Sequence, residues 1–345
     1  MSHTPPDTAR RAGWITAIDG EIRALGDRVV GKRLSGETNV VADQSAPAVP
    51  HTPGIIMKRA SGRFRLPRSV KADLITRFIV GDRGAREQLT TLIVVAHPDD
   101  ESIGAGARLK KLGDAWVVDV TDGAPRDAEC ARRHGFETPE DYAEARRLEL
   151  QQAMNLAGLP PERLIRLDFA DGEVTFRLAE LCLRVTELLD SMRPDVVLTH
   201  PYEGGHTDHD ATAFAVHLAC GILTREGITP PAILEIALYN AQKGTRVVQQ
   251  FVPHERADRG QLLIRLSAKE RTLKQAIFDC FTTQRNVLEN FSTEFEKFRP
   301  APRYDFTRPP HSGVLNYERY GDPDRGKSWR AQAERVLKSL GMRRD

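Results

Sequence analysis

The pattern of hydrophobic and polar positions changes near residue 91. From there on, short apolar runs alternate with longer segments in which apolar residues recur every three or four positions. Runs of this kind, bounded by turn residues, are typical of strands buried on both faces of a sheet. The predicted strands are Thr91–Ala96, Trp116–Val120, Leu164–Leu167, Asp195–Thr199, Ala232–Tyr239 and, from its alternation, Gln261–Ser267.

The segments between these strands have helical periodicity and are long enough to cross from one strand to the next. The predicted helices are Glu101–Leu112, Glu140–Ala157, Phe176–Met192, Asp208–Leu223 and Ala268–Phe281. Strands that alternate with helices of this length indicate βαβ units. The sequence therefore predicts an α/β fold with a mostly parallel sheet flanked by helices.

We expect a single main domain over residues 91–285, because no linker interrupts the alternation. Residues 1–90 form an N-terminal extension without recognisable chemistry, which we expect to pack on the core. Residues 286–345 are predicted to be irregular and in part proline-rich, up to a basic amphipathic helix at Trp329–Leu340.

Composition excludes several classes of protein. The net charge of the 345 residues is only +2, and the basic residues are dispersed, which argues against nucleic-acid binding. No apolar run reaches the ~18–20 residues of a membrane span, and the polar N-terminus lacks the apolar core of a secretory signal. The cysteines are far apart and form no CxxC pair, which predicts free thiols. We therefore expect a soluble cytoplasmic protein.

Two polar segments rich in histidine and aspartate directly follow predicted strands. The first is Ala96–Glu101 (AHPDDE), and the second is His200–His209 (HPYEGGHTDH). In open α/β sheets, ligands bind at the carboxyl ends of the strands. The pattern therefore predicts that both segments contribute to one site.

His97, Asp100 and His209 supply two imidazoles and a carboxylate. Three such ligands suit Zn²⁺ and leave a fourth position open for water, as in catalytic zinc sites. Bound to zinc, water can have a pKa of about 7, so that hydroxide is available at neutral pH. Fe²⁺, Co²⁺ and Ni²⁺ accept similar ligands, so the residues alone leave the metal open.

Three other polar residues of the two segments are candidates for catalytic roles. Asp99 adjoins a ligand but points elsewhere, and we expect it to be the general base. His206 lies three residues before His209, and a protonated His206 could stabilise an oxyanion or protonate the leaving amine. Asp208 could orient His206 and raise its pKa. Gly204 and Gly205 would let the loop approach a ligand closely.

Each segment alone also fits a plain structural role, because an Asp before a helix is commonly an N-cap. Four of the ten histidines, however, fall in these two short segments, which favours a metal site. A non-catalytic nucleotide- or sugar-binding module is a further alternative. The first strand is not followed by GxGxxG, which argues against that alternative.

The two motifs in this order resemble those of the PIG-L/LmbE-like deacetylases, a family that includes the deacetylases of GPI-anchor, mycothiol and bacillithiol biosynthesis. Ala96–Glu101 matches the family's AHPDDE motif, and His206–His209 its HPDH-like motif, with Thr207 where proline is common. The resemblance implies a Rossmann-like sheet over roughly residues 90–285. It also implies zinc ligands His97, Asp100 and His209, with catalytic roles for Asp99, His206 and Asp208.

What the resemblance implies for activity is zinc-dependent hydrolysis of the N-acetyl group of an N-acetylglucosamine-type sugar or glycoconjugate. A zinc amidase of the same fold that acts on another acyl amide is the alternative. Similarity to family features also suggests substrate contacts for Arg146, on a helix, and for Asp171, in an Asp-Gly turn. Tyr202 is a further candidate, because its ring could stack on a sugar.

Overall fold

A seven-stranded sheet forms the centre of the computed structural model, which describes residues 89–112, 114–254, 256–320 and 322–342. The strands of this sheet are β1 Thr90–Val95, β2 Asp114–Pro125, β3 Leu164–Asp171, β4 Val196–Thr199, β5 Ala232–Ile236, β8 Leu262–Arg265 and β9 Phe295–Pro300. A separate hairpin consists of β6 Tyr239–Gln242 and β7 Thr245–Val248. The helices are α1 Asp100–Ala105, α2 Ala128–Arg133, α3 Pro139–Ala157, α4 Leu178–Met192, α5 Thr207–Arg225, α6 Ala268–Phe278, α7 Arg285–Leu288 and α8 Arg325–Ser339.

The strand order of the sheet is β3-β2-β1-β4-β5-β9-β8. Neighbouring strands from β3 to β5 are parallel, whereas β9 is antiparallel to both β5 and β8. The chain runs from β1 outward to β3 and then returns to place β4 on the other side of β1. The strand order thus reverses between β1 and β4, and such a reversal is where open α/β sheets bind ligands.

The core is built from the central strands and the helices that cover them. Leu92 to Val95 of β1 are completely buried, as the continuous apolar run predicts for a strand covered on both faces. Helix α3 begins at the Thr138 cap with Pro139 in its first turn and ends at Gly158 in the left-handed conformation. Local start and stop signals therefore agree with the observed helix.

The predicted α/β class and mostly parallel sheet are confirmed. All six predicted strands are present, although the segment predicted as Ala232–Tyr239 ends at Ile236, and Tyr239 opens the hairpin. The predicted helix Glu101–Leu112 is only Asp100–Ala105, followed by a short 3-10 turn. Gly104, which lies directly against Ile236, and Gly106 weaken the helix there.

Strand β9 was not predicted. It lies between β5 and β8, in the segment from 286 onward that the sequence analysis expects to be irregular. The strand is short and charged and ends in proline, so its own pattern is weak, and its pairing on both sides stabilises it. The sheet therefore includes residues beyond 285.

The predictions for residues 1–88 lie outside the described residues. Among the residues that the structure describes, no helix is both long and apolar enough to cross a membrane.

Candidate active site

The first motif turns sharply from the end of β1 into α1. Asp100 Oδ2 accepts a hydrogen bond of 2.9 Å from the backbone N–H of His97, and Glu101 Oε2 accepts one of 3.1 Å from the N–H of Asp99. All of these residues are buried. Residues of the motif thus hold one another in place within the turn.

Asp99 has a φ of 135°, which is rare for a residue with a side chain. Strain of this kind costs on the order of 1–3 kcal/mol and is concentrated at functional sites. The conformation turns the Asp99 carboxylate away from Asp100 and toward Arg146, whose Nη2 lies 3.2 Å from Asp99 Oδ2. Burial raises the pKa of Asp99 to about 8, and Arg146 opposes that rise.

Arg146 itself is buried on α3 and donates to two backbone carbonyls as well, those of Pro98 at 2.5 Å and Gly123 at 2.7 Å. The structure therefore places Arg146 beside Asp99. Glu149 accepts from Thr282 and Thr283.

The second motif leads from the end of β4 into α5. His206 is the N-cap of α5, and its Nδ1 accepts a hydrogen bond of 3.2 Å from the N–H of Asp208. His209 follows in the first turn of the helix. Because β4 pairs with β1, the ends of both strands bring the two motifs to the same edge of the sheet.

The three predicted metal ligands converge. His97 Nδ1 lies 3.2 Å from Asp100 Oδ2 and 3.2 Å from His209 Nε2, and Asp100 Oδ2 lies 3.3 Å from His209 Nε2. Ligand atoms about 2.0–2.1 Å from a tetrahedral zinc lie roughly 3.3–3.4 Å apart, so the triangle has the size that zinc requires. The donor set also fits zinc in its chemistry.

The other nitrogen of His97 faces two carboxylates. Nε2 lies 3.1 Å from Asp171 Oδ1 and 3.6 Å from Asp208 Oδ2. Burial alone would lower the pKa of His97, but Asp171, Asp100 and Asp208 together raise it well above its ordinary value. The surroundings of His97 thus favour positive charge, and a carboxylate behind a ligand histidine fixes the orientation of its ring.

This arrangement corrects one prediction and adds a contact to another. Asp171, for which the resemblance implies a contact with the substrate, lies against His97 through Oδ1. The Asp208 carboxylate, predicted to orient His206, accepts a hydrogen bond of 2.7 Å from Gly172 N–H instead. Its Oδ1 is buried and has no hydrogen-bond partner within the described part of the chain. The start of α5 directs the Asp208 side chain toward Gly172, which directly follows β3.

The protonation state of His206 also differs from the prediction. Burial lowers its pKa to about 4, and the neighbouring His97 adds to this, whereas Asp208 and Asp171 raise it less. The ring is therefore neutral near pH 7. Since Nδ1 accepts from Asp208 N–H, the proton of the neutral ring is on Nε2, which is then a hydrogen-bond donor.

His200 contacts both motifs. It is completely buried, and its Nε2 accepts a hydrogen bond of 2.8 Å from Ala96 N–H. Its ring stacks on that of His209, with 4.0 Å between the centroids and 15° between the planes. His200 therefore packs as a core histidine that links the two motifs and fixes the ring of His209.

The loop of the second motif is held by residues that the sequence analysis did not identify. Glu203 accepts hydrogen bonds from Asn240 Nδ2 at 2.8 Å, Val252 N–H at 2.7 Å and Arg299 Nη2 at 2.8 Å. It is buried, not part of a solvated loop. No local pattern marks Asn240 or Arg299, because both belong to elements more than thirty residues away along the chain.

A second set of contacts comes from the C-terminal segment. Asn316 donates to the loop twice, from its N–H to Gly204 O at 2.8 Å and from Nδ2 to Gly205 O at 3.0 Å. A Cβ at Gly204 would meet Leu315, and one at Gly205 would meet Tyr239 O at 2.2 Å. The two glycines thus permit close approach by the protein itself, and not by a ligand as predicted.

Tyr202 does not line the site. It is 2% exposed, its ring packs among Tyr304, Phe306 and Trp329, and its hydroxyl donates to Arg308 O at 2.8 Å. The predicted contact with a sugar is therefore wrong, because the residue is part of an aromatic core cluster.

Comparison with known proteins supports the resemblance. Residues 92–220, which include both motifs, match the family model described as GlcNAc-PI de-N-acetylase, PIG-L. The chain is 29% identical over 140 residues to the probable N-acetyl-alpha-D-glucosaminyl L-malate deacetylase 2 of Bacillus cereus, with 39% of this chain and 62% of that protein covered.

Two further relatives are similar over much the same share of the chain. The diacetylchitobiose deacetylase of Thermococcus kodakarensis is 30% identical over 127 residues, with coverage of 36% of this chain and 46% of that protein. The 1D-myo-inositol 2-acetamido-2-deoxy-alpha-D-glucopyranoside deacetylase of Kineococcus radiotolerans is 31% identical over 167 residues, with 38% and 45% covered. The chain thus spans about half the length of these relatives, and the PIG-L resemblance is confirmed for residues 92–220.

Proposed function

We propose that this chain is a zinc-dependent hydrolase that removes the N-acetyl group from an N-acetylglucosamine-type sugar or glycoconjugate. The observation that carries the proposal is the triangle of His97 Nδ1, Asp100 Oδ2 and His209 Nε2, with sides of 3.2–3.3 Å. Asp99 and His206 adjoin these residues in the same two motifs. The names of the three relatives, all deacetylases of N-acetylated amino sugars, support the substrate class.

The metal would be held by His97, Asp100 and His209. When bound, zinc would act as a Lewis acid toward the amide carbonyl and lower the pKa of a water molecule. Asp171 would fix the ring of His97 through Nε2. The raised pKa of His97 indicates that its surroundings favour a cation.

Asp99 would be the general base that takes the proton of the attacking water. Its carboxylate is oriented by Arg146, which is itself fixed by the carbonyls of Pro98 and Gly123. Burial raises the pKa of Asp99, and a base with a pKa near the working pH transfers protons efficiently. Arg146 would then act on the base and not on the sugar, which differs from its predicted contact with the substrate.

His206 would stabilise the negative charge that develops on the carbonyl oxygen. Its lowered pKa keeps the ring neutral, and its Nε2–H remains free to donate because Nδ1 is occupied by Asp208 N–H. A neutral donor that is already oriented stabilises an oxyanion without any change in its own protonation. As the C–N bond breaks, Asp99 would pass its proton to the leaving nitrogen, which gives acetate and a free amino sugar.

We further propose that the enzyme works in the cytoplasm on a small molecule or glycoconjugate. Support comes from the cysteines, since Cys130, Cys182, Cys220 and Cys280 are all free. Unpaired thiols are the normal state in a reducing compartment.

The test is amine release from a panel of N-acetylglucosamine compounds by metal-stripped protein, with and without added Zn²⁺. The panel contains the free sugar, a glycoside, a nucleotide sugar and a lipid-linked form, together with N-butyryl and N-octanoyl analogues. The proposal predicts zinc-dependent release from at least one acetylated member. Release only from the longer acyl amides would replace it by the amidase alternative, and no release from zinc-loaded protein would contradict it.

A further inference from the structure

The β6–β7 hairpin forms a wall beside the metal cluster. Asn240 of β6 donates to Glu203 Oε2 at 2.8 Å, which ties the hairpin to the loop of the second motif. Gly205 of that loop lies so close to Tyr239 O that no side chain would fit between them. The hairpin is therefore held in a defined place relative to His206 and His209.

One face of this hairpin is directed at the cluster. The register pairs Tyr239 with Val248 and Ala241 with Arg246, so these four side chains share a face. On that face, the ring of Tyr239 lies 5.1 Å from the ring of His209. Arg246, one pair further along, lies on the same side of the hairpin as the proposed metal site.

Arg246 is fixed but has no anionic partner. Its guanidinium carbon lies 4.7 Å from the ring centroid of Tyr239, a geometry that holds the group by a cation–π contact. No carboxylate among the described residues forms an ion pair with it, and its Nε is buried without a hydrogen-bond partner. Arg146 and Arg299, by contrast, are buried against Asp99, Glu203 and Glu235.

We propose that Arg246 binds an anionic group, a carboxylate or a phosphate, that the substrate carries outside the scissile amide. The proposal rests on the proposed function, because the amide must lie at the metal cluster for the rest of the substrate to reach the hairpin. Tyr239 would lie under the sugar, between the acyl group and the charged substituent. The planar guanidinium can bind either oxyanion with two parallel hydrogen bonds, which a lysine cannot do.

The kinetic test compares Arg246→Gln and Arg246→Lys with the unaltered chain on charged and neutral substrates. The substrates are N-acetylglucosamine, its 1-phosphate and 6-phosphate, and N-acetylmuramic acid, which carries a carboxylate. For the preferred anionic substrate, R246Q should lower kcat/KM about 10- to 100-fold, as expected for the loss of a charged hydrogen bond. For N-acetylglucosamine the change in kcat/KM should stay below about threefold. On the anionic substrate, the kcat/KM of R246K should lie between those of R246Q and the unaltered chain.

Lys243→Gln is the matched control, since it removes the same charge from the exposed turn of the same hairpin. It should leave kcat/KM unchanged for every substrate. Equal losses on neutral and anionic substrates in R246Q would overturn the proposal and assign Arg246 to packing on Tyr239. An unaltered enzyme that does not prefer any of the anionic substrates would overturn it as well.

A binding measurement separates this proposal from the proposed function. Calorimetry with zinc-loaded protein compares glucosamine 6-phosphate, glucosamine 1-phosphate and muramic acid with uncharged glucosamine. Weaker binding of a charged ligand to R246Q, with glucosamine unchanged, supports the role of Arg246 even if no acetylated compound is cleaved. Equal affinities of R246Q and the unaltered chain for every charged ligand contradict it, whatever the activity.

Discussion

The two motif loops meet at one edge of the sheet but are held by different means. The first loop is held from within by Asp100 and Glu101, which accept from His97 and Asp99, and from elsewhere in the chain by Arg146 and His200. The second loop depends on the hairpin, on β9 and on the C-terminal segment. The value of kcat should therefore be most sensitive to changes in the first loop, and the free energy of unfolding to changes around the second.

Asp99→Asn removes the proposed base and should have the largest effect. Asparagine is isosteric, so zinc content and the fold should be retained, while kcat should fall by about 10²–10⁴. The measurements are kcat and zinc per chain. Asp168→Asn is the matched control, because Asp168 also has a positive φ but is exposed. Turnover of D99N within threefold of the unaltered enzyme would rule out this role.

Arg299→Met removes the main anchor of the second loop. Arg299 is buried and donates to Glu203 at 2.8 Å and to Glu235 at 2.7 Å. At about pH 9, above the raised pKa of Glu203 (about 8) and of Glu235 (about 7), two buried carboxylates would lose their positively charged partner, and the free energy of unfolding should fall by about 3–5 kcal/mol. Chemical denaturation measures this, with the exposed Arg271→Met as the control. A loss no larger than in R271M would show that the second loop is held by other contacts.

The same anchor predicts a dependence of stability on pH. Burial raises the pKa of Glu203 to about 8, although Arg299 opposes this, from an ordinary value of 4.5. Since the folded chain holds this proton more tightly than the unfolded chain, the stabilisation is complete below pH 4.5 and is lost as the pH rises through about 8.

Denaturation at pH 5, 6, 7 and 8 measures this dependence, whose slope is at most about 1.4 kcal/mol per pH unit for one proton. Glu203→Gln removes the titrating group and should make the decline with pH shallower. An unchanged slope in E203Q would show that Glu203 stays ionised over this range.

Asn316→Ala should have a smaller effect on the same loop. The substitution deletes the hydrogen bond to Gly205 O but keeps the backbone hydrogen bond to Gly204 O. Leaving one buried carbonyl unpaired should cost about 1–2 kcal/mol. Because the loop leads directly into His206, kcat should also fall several-fold while zinc affinity stays the same. A change in zinc affinity without a change in kcat would contradict this division of roles.

Tyr202→Phe should have the smallest effect on stability and activity. The hydroxyl bonds to Arg308 O away from the metal cluster, so its loss should cost roughly 1 kcal/mol of stability. Both kcat and KM for the sugar should stay within twofold. A KM raised more than fivefold would restore Tyr202 as a contact with the substrate.

The contrast between the loops also explains what could be predicted from the sequence. The strands, the main helices and the positions of both motifs follow from local hydrophobic periodicity, and the convergence of His97, Asp100 and His209 follows from parallel strands with a common carboxyl edge. The first loop is held in part by neighbours in sequence, so its residues carry more of the information that it needs than those of the second loop.

The second loop could not be predicted in the same way. Its partners Asn240, Arg299 and Asn316 are ordinary polar residues whose role depends on how distant parts of the chain pack together. The contacts of Asp171 and Asp208 with His97 could not be predicted for a related reason. Both carboxylates face His97, and only the packing of β3 against the start of α5 shows this.

The central claim is that His97, Asp100 and His209 hold the metal, and anomalous diffraction at the zinc edge from zinc-loaded crystals tests it most directly. The structure also contains neighbouring groups that could hold a cation: His97–His206–His209, His97–Asp171–His206–Asp208 and Asp100–His200–His209. We predict one strong anomalous peak within bonding distance of His97 Nδ1, Asp100 Oδ2 and His209 Nε2. A peak at any of the neighbouring groups, or none, would contradict the account.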